Sequence, residues 1–236
     1  MSGCRAISAS LLVLILLTVS LPVVAEPSAP AGLDIRYAKA DSPDTGTLPG
    51  KLAIAGLLLI QLDQALLDIF PRTPSGQRSD SITESINSLG TGEVLLAVLG
   101  GIYLAGNDYD RDTARLAFAA LLNAAVITQG LKMITGRARP STADDHTVFR
   151  PGNGLVPGYG SFPSGHTSAA FSVATVLASR NPGQKWLYYG LASAVGLARV
   201  RKSAHFPSDV LVGAAVGILT GHSAIEGGPD FLSIRF

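Results

Sequence analysis

Residues 116–140 read LAFAALLNAAVITQGLKMITGRARP, and the change of character at Lys132 decides the fold. From Leu116 to Leu131 the stretch is apolar and rich in Ala and Leu. It has few β-branched runs and no period-two alternation, so helix is favoured over strand. From Lys132 onward three cations, Lys132, Arg137 and Arg139, follow with no acid between them. The same apolar texture recurs at Leu52–Ile60 (continuing more polar to Phe70), Val94–Gly106, Thr167–Ser179, Trp186–Ala198 and Val210–Gly221. Asp80 or Ser81 can cap a further amphipathic helix that leads to Leu89 and Gly90. The expectation is an all-α chain, a helical bundle of about six core helices.

Composition narrows the class. Hydrophobic residues make up 47% and charged residues 15%, against about 25% charged in soluble globular domains. That balance points to a membrane protein or to a helical protein with a large apolar interior. A net charge of +1 gives no sign of a nucleic-acid partner or an acidic tail. A span needs about 20 apolar residues, and most of these runs are shorter. The first also carries Gln61, Asp63 and Gln64. The runs therefore suit either membrane attachment or buried helices of a soluble bundle.

The N-terminus reads as a secretory signal. Arg5 supplies the positive region, the apolar run extends from Leu11 to Val24, and Val23 and Ala25 place cleavage after Ala25. Residues 26–50, rich in Pro, Gly, Ser, Asp and Thr, read as a flexible lead-in. The remainder, 51–236, reads as one domain. The only cysteine, Cys4, lies in the leader. The mature chain then offers no disulfide, thiolate metal site or cysteine nucleophile.

Topology can be reasoned from the runs. If Val94–Gly106 and Leu116–Leu131 form a hairpin with Asn107 to Thr113 at its tip, Gly90 and Lys132 lie on one side. The helix from Thr167 leads away from that side and the helix from Trp186 returns to it. Residues 132–166 and 199–209 therefore share one side. With a cleaved leader this side faces outward if Leu52–Phe70 does not cross the bilayer, and toward the cytoplasm if it does.

Three segments on that side carry chemistry. Lys132, Arg137 and Arg139 offer cations at the mouth of an apolar bundle, and an Arg fork matches phosphate oxygens. Pro163-Ser164-Gly165-His166 opens a helix, whose first N–H groups bind anions. Ser164 adds a hydroxyl, and His166 is placed to protonate a leaving oxygen. His205 and Asp209 are spaced to share a helix face. A carboxylate on one ring nitrogen fixes the tautomer and frees the other nitrogen to attack. Arg199, at the end of the preceding helix, can hold another phosphate oxygen. Taken singly, each segment also fits an ordinary helix end; taken together they supply a nucleophile, its carboxylate, an acid and anion donors, which is what phosphoryl transfer requires.

The order Lys-x6-Arg-Pro, Pro-Ser-Gly-His, Arg-x5-His-x3-Asp over residues 132–209 resembles the type 2 phosphatidic acid phosphatase superfamily, which includes bacterial lipid phosphatases, class A acid phosphatases and vanadium haloperoxidases. The resemblance implies that family's helical fold and a metal-independent, cofactor-free phosphatase. It implies that Lys132, Arg139, Ser164, Gly165 and Arg199 bind phosphate, that His205 is the nucleophile with Asp209 as its partner, and that His166 is the general acid. Ala198 stands where the family often has Ser, and Arg137 has no assigned role. Asp108, Asp110 and Asp112 recur at calcium-loop spacing, but Thr113 and Ala119 occupy positions where an EF-hand needs Gly and Glu.

The function expected is hydrolysis of a phosphate monoester or pyrophosphate through a phosphohistidine. The substrate expected is a lipid, such as undecaprenyl pyrophosphate, phosphatidic acid, phosphatidylglycerophosphate or a lipid A phosphate. The setting expected is an inner membrane with the site facing the periplasm. The alternative is a soluble periplasmic acid phosphatase acting on small organic phosphates. No nucleic-acid or metal partner is expected.

Overall fold

The computed structural model describes residues 47–69, 78–143 and 145–227. The expected leader, 1–25, and most of the lead-in lie outside the described residues. Among the described residues eight α-helices follow one another: α1 (Leu48–Leu59), α2 (Asp63–Ile69), α3 (Arg78–Ser88), α4 (Gly92–Ala105), α5 (Asp108–Thr135), α6 (Gly165–Arg180), α7 (Lys185–Arg201) and α8 (Pro207–Glu226). The described residues hold no β-strand, only the isolated bridges Arg137–Phe149 and Ala138–Tyr159 in the long α5–α6 connection. The all-α bundle is the architecture found.

Helix boundaries depart from the apolar runs where capping outweighs hydropathy. Helix α1 begins at Leu48, inside the expected lead-in, because Pro49 suits a first turn whose N–H groups have no helical partner. A single 3-10 turn, Ile60–Leu62, joins it to α2. Helix α5 starts eight positions before Leu116, so the expected hairpin tip at Asn107–Thr113 contracts to Gly106 and Asn107. The reason is a capping box: Asn107 Oδ1 accepts from Asp110 N–H at 3.0 Å, and Asp110 Oδ2 accepts from Asn107 N–H at 3.2 Å. The three aspartates here belong to this helix start; Asp108 pairs with Arg111 and Asp112 with Arg180.

The main apolar cluster lies where α4, α5, α6 and α7 meet, with α8 packed on α6, and small residues set the spacing. Ala117, Ala120 and Ala124 on α5 are fully buried. On α8, a Cβ at Gly213 would lie 2.7 Å from the Ser164 carbonyl oxygen, and one at Gly217 would lie 2.5 Å from that of Ser168. Only glycine at these two positions lets α8 rest on the backbone of α6 at its site-bearing end.

Three continuous helical segments are long and apolar enough to cross a membrane: Leu48–Ile69 with 22 residues, Asp108–Thr135 with 28 and Pro207–Glu226 with 20. The sequence runs looked too short because each helix extends past its apolar run into polar residues. Asp63 in the first segment is fully buried. Helix α1 runs antiparallel to α8: Gly56 packs on Ser208 and Val212, while Asp63 bonds to Ser208. Helices α1–α2, α5 and α7 therefore run toward one end of the bundle, and α6 and α8 run away from it.

At the opposite end Tyr109 donates to the Arg180 carbonyl at 2.6 Å. The turn after α6 thus docks on the start of α5, on the side away from Lys132, as the order of the apolar runs requires.

Candidate active site

Each sequence-selected residue arrives at the convergent end on a different element. Lys132 lies in the last turn of α5, which closes at Gly136 with φ of 53°. A side chain there would meet the Arg150 carbonyl oxygen at 1.8 Å, so glycine both ends the helix and admits the returning loop. Arg139 follows in that loop. Ser164, Gly165 and His166 form the start of α6, Arg199 the last turn of α7, His205 the α7–α8 loop, and Asp209 the first turn of α8.

The pieces touch. The Lys132 side chain donates to the Gly160 carbonyl, and its Cε would be 3.8 Å from a Cβ placed on Gly165. His166 lies within the field of Lys132, Arg139, Arg199 and His205, and His205 within that of Lys132, Arg199 and Asp209. All eight residues selected from sequence are therefore gathered at one site. His222, near the end of α8, lies outside it.

The cations differ in how far their bonding is satisfied. Among the described residues the Arg139 guanidinium has no hydrogen-bond or ion-pair partner. Arg199 Nη1 donates to Asn87 Oδ1 at 2.6 Å, while its Nε is buried with no acceptor among the described residues. A buried donor without a partner is costly, so this geometry suits an anion. Ser164 is buried, and its Oγ accepts from Thr167 Oγ1 at 2.8 Å rather than capping α6. Its own proton and the first-turn amides of α6 remain available to a bound oxygen.

The imidazole of His205 is held differently from the sequence expectation. Nδ1 lies 2.7 Å from the Ser161 carbonyl oxygen and 3.7 Å from Asp209 Oδ2. The Nδ1 proton goes to the backbone carbonyl, which fixes the tautomer and leaves Nε2 with a free lone pair. Asp209 acts on the ring through its charge, because its oxygens are already committed. Oδ2 accepts from Ser161 Oγ at 2.5 Å and Phe206 N–H at 2.9 Å, and Oδ1 from Arg137 Nη1 at 2.6 Å.

Arg137, which had no role in the sequence, is fully buried and saturated. Besides Asp209 it donates to Asp63 Oδ2 at 2.7 Å, Ser208 Oγ at 2.8 Å and the His146 carbonyl at 2.8 and 3.1 Å. Its guanidinium carbon lies 4.2 Å from the ring centre of Phe206. Sequence reasoning missed Asp63, Asn87, Ser161 and Ser208. Asp63 did leave a trace, as an acid in an apolar run.

Burial pushes the His205 imidazole down to about 4, with Lys132 and Arg199 adding to the effect and Asp209 opposing it. Burial first, and then Arg199, His205, Arg139 and Lys132, push His166 down to about 3. In the ligand-free pocket both rings are thus neutral near pH 7. A neutral His205 is ready to attack, but a neutral His166 cannot give a proton until an anion offsets the surrounding cations.

The PAP2 superfamily matches residues 113–228. A lipid A 1-phosphatase of Porphyromonas gingivalis is 48% identical over 65 residues, covering 26% of this chain and 15% of that protein. The undecaprenyl-diphosphatase BcrC of Bacillus subtilis is 29% identical over 161 residues, 65% of this chain and 79% of that protein. A crystal structure of Aquifex aeolicus LpxE superposes with a TM-score of 0.58 at 27% identity, covering 70% of this chain and 95% of that one. The chain spans less than half the length of the lipid A 1-phosphatases it matches.

Proposed function

Through residues 113–228 the chain belongs to the PAP2 superfamily, and from that membership we propose that it is a membrane-embedded phosphatase that removes phosphate from a lipid phosphate or diphosphate through a phosphohistidine at His205. The observation that carries the reading is the bonding of the pocket. A buried imidazole has its Nδ1 proton tied to the Ser161 carbonyl, and beside it Arg199 keeps a buried Nε with no acceptor among the described residues.

The steps follow from that arrangement. Lys132, Arg139, Arg199, the Ser164 hydroxyl and the amides of Gly165 and His166 grip the phosphate oxygens. Nε2 of His205 attacks phosphorus in line as the bond to the leaving oxygen breaks, and protonated His166 gives that oxygen its proton. The ring gains positive charge, which Asp209 offsets. His166, now neutral, takes a proton from water, the hydroxide attacks phosphorus, the N–P bond breaks and inorganic phosphate leaves. Catalysis lies in positioning and charge stabilisation.

The lipid class is supported by helices apolar enough to cross a membrane, and by the names of the relatives, which act on lipid A 1-phosphate and undecaprenyl diphosphate. We place the site on the periplasmic face. Because α1–α2 runs toward the site, crossing by Leu48–Ile69 then puts the chain before Leu48 on the cytoplasmic side. The run Leu11–Val24 is then not an exported leader, and a cleaved leader would instead imply a cytoplasmic site.

The test is a panel of lipid A 1-phosphate, undecaprenyl diphosphate and a water-soluble monoester in detergent. It is combined with acid-labile labelling of the protein by phosphate-labelled substrate. Hydrolysis of a lipid substrate and loss of both turnover and label in His205→Ala are expected. Undiminished turnover in that variant removes the proposed nucleophile, and preference for the soluble monoester removes the lipid class.

A further inference from the structure

Asp63 lies outside residues 113–228 and belongs to none of the three sequence blocks. It is nevertheless fully buried, on the element that leads α1 into the site end. Oδ2 accepts from Arg137 Nη2 at 2.7 Å and from the Ser208 hydroxyl, and Oδ1 accepts from Ser208 N–H at 2.9 Å. The other arm of the same guanidinium donates to Asp209 Oδ1 at 2.6 Å, and Asp209 Oδ2 lies 3.7 Å from His205 Nδ1. An unbroken polar chain thus runs from Asp63 through Arg137 and Asp209 to Ser161 and His205.

We propose that Asp63 is a positioning residue for phosphoryl transfer: it holds Arg137 in place and supplies the second carboxylate that leaves net negative charge behind His205. The inference rests on the phosphatase reading.

Charge counting gives the reason. Two carboxylates share one guanidinium, so the cluster carries one uncancelled negative charge, and the attacking imidazole turns positive as it bonds to phosphorus. With Asp63 neutral, Arg137 and Asp209 would cancel each other and nothing behind the ring would offset that charge. Fixing α1–α2 to the bundle would not require such a cluster, because buried ion pairs contribute little to stability compared with well-packed apolar groups. A cluster of this kind directly behind a nucleophile is what functional strain on a fold leads one to expect. The geometry is also rigid: Phe206 and Phe149 lie against the guanidinium at 4.2 and 5.3 Å. Facing His205 from the pocket side are Lys132, Arg199 and His166. Asp63 is therefore the further acid that weighs against them through Arg137.

The experiment compares the full chain in detergent with Asp63→Asn, Arg137→Leu and the double variant, using one soluble monoester. Asp63→Asn is expected to lower kcat on the order of tenfold with KM changed less than about twofold. The acid limb of kcat/KM should move to lower pH, since removing negative charge behind the ring disfavours imidazolium. In the Arg137→Leu background, Asp63→Asn is expected to add less than about a further twofold. If Arg137→Leu does not fold, the His205 imidazole is titrated by NMR in Asp63→Asn alone, and its midpoint must fall. The proposal is overturned if Asp63→Asn lowers thermal stability but leaves kcat and the His205 midpoint unchanged, or if its effect persists undiminished without Arg137. Failure of the phosphatase reading looks different: wild type would hydrolyse neither the soluble monoester nor the lipid substrates, or His205→Ala would still hydrolyse them.

Discussion

Binding of a dianion to the pocket is expected to draw a proton from solvent onto His166. Ligand-free, that ring titrates at about 3 because burial and the charges of Arg199, His205, Arg139 and Lys132 all oppose protonation. A tenfold change in proton affinity corresponds to about 1.4 kcal/mol. Holding the proton near pH 7 therefore costs on the order of 5 kcal/mol in the empty site, less what solvent screens at this half-buried ring. A phosphate dianion cancels two of the surrounding charges, and Coulomb terms of a few kcal/mol at close range are enough to close that gap. Sulfate is the suitable probe, because it stays dianionic across the range and any proton taken up must come to the protein. Calorimetry at pH 6.5 in two buffers of different ionisation enthalpy is expected to show uptake of about one proton per sulfate, and His166→Gln about none. Zero uptake in the wild type refutes the reasoning, since the leaving-group proton would then have to arrive on the substrate itself. Equal uptake in both proteins refutes it as well, because it assigns the proton to His205.

The ligand-free protein should lose stability on acidification. His205 is lowered from 6.5 unfolded to about 4 folded, so its contribution is complete above pH 6.5 and is lost as pH falls toward 4. The loss is about 3 kcal/mol and is readable as a falling denaturation midpoint that sulfate partly restores. Asn87→Ala removes the side-chain acceptor on Arg199. It should raise KM for a soluble monoester about fivefold, with Glu84 and Lys202 still joining α3 to the end of α7; unchanged KM would mean that Arg199 needs no such support. In a Cys4→Ser background, Ser141→Cys at the site end should react with a membrane-impermeant maleimide in intact spheroplasts. Gly183→Cys at the far end should react only after lysis, and the reverse pattern would place the site in the cytoplasm.

The fold was legible because its signal is local. Apolar runs of helical period name the helices, and the run order alone places Lys132, His166 and His205 at one end. The helix ends were not legible in the same way, because they depend on capping, as at Asn107 and Pro49, rather than on hydropathy. The site split along the same line. The eight residues selected from sequence sit in short ordered blocks, and the fold gathers them at one end of the bundle. Those behind them were not legible, because Asp63, Asn87 and Ser161 are joined to the blocks only by the fold. Asp63 even pointed the wrong way, since an acid in an apolar run counts against a membrane span until its partner is known. The hydrogen-bond partner of His205 was misjudged for a related reason: a spacing of four suggested Asp209, but the Nδ1 proton goes to the Ser161 carbonyl, and backbone carbonyls do not appear in sequence patterns.

Arg137 and Arg139 show what burial adds to such a pattern. They stand two residues apart in one basic block; the family resemblance gives Arg139 a phosphate and leaves Arg137 without a role, and the side chains themselves offer no ground for the difference. The structure separates them by what remains unsatisfied. Arg137 shares its donors among Asp63, Asp209, Ser208 and the His146 carbonyl, so it has nothing left to offer a ligand and can act only through Asp209. Arg139 has no internal acceptor among the described residues, and Arg199 keeps a buried Nε without one. Together with Lys132 they leave an excess of positive charge in front of two neutral imidazoles, while the negative charge of the site lies behind His205. An in-line transfer needs that polarity: phosphate oxygens are gripped from the front, and the charge the imidazole acquires is compensated from the rear. Reversing it, by moving a carboxylate to the front, would repel the substrate and raise the His166 midpoint before any ligand arrived. Arg139→Glu should therefore lose sulfate binding while gaining a protonated His166 in the empty site. The histidine NMR titration and the calorimetry read these two changes independently.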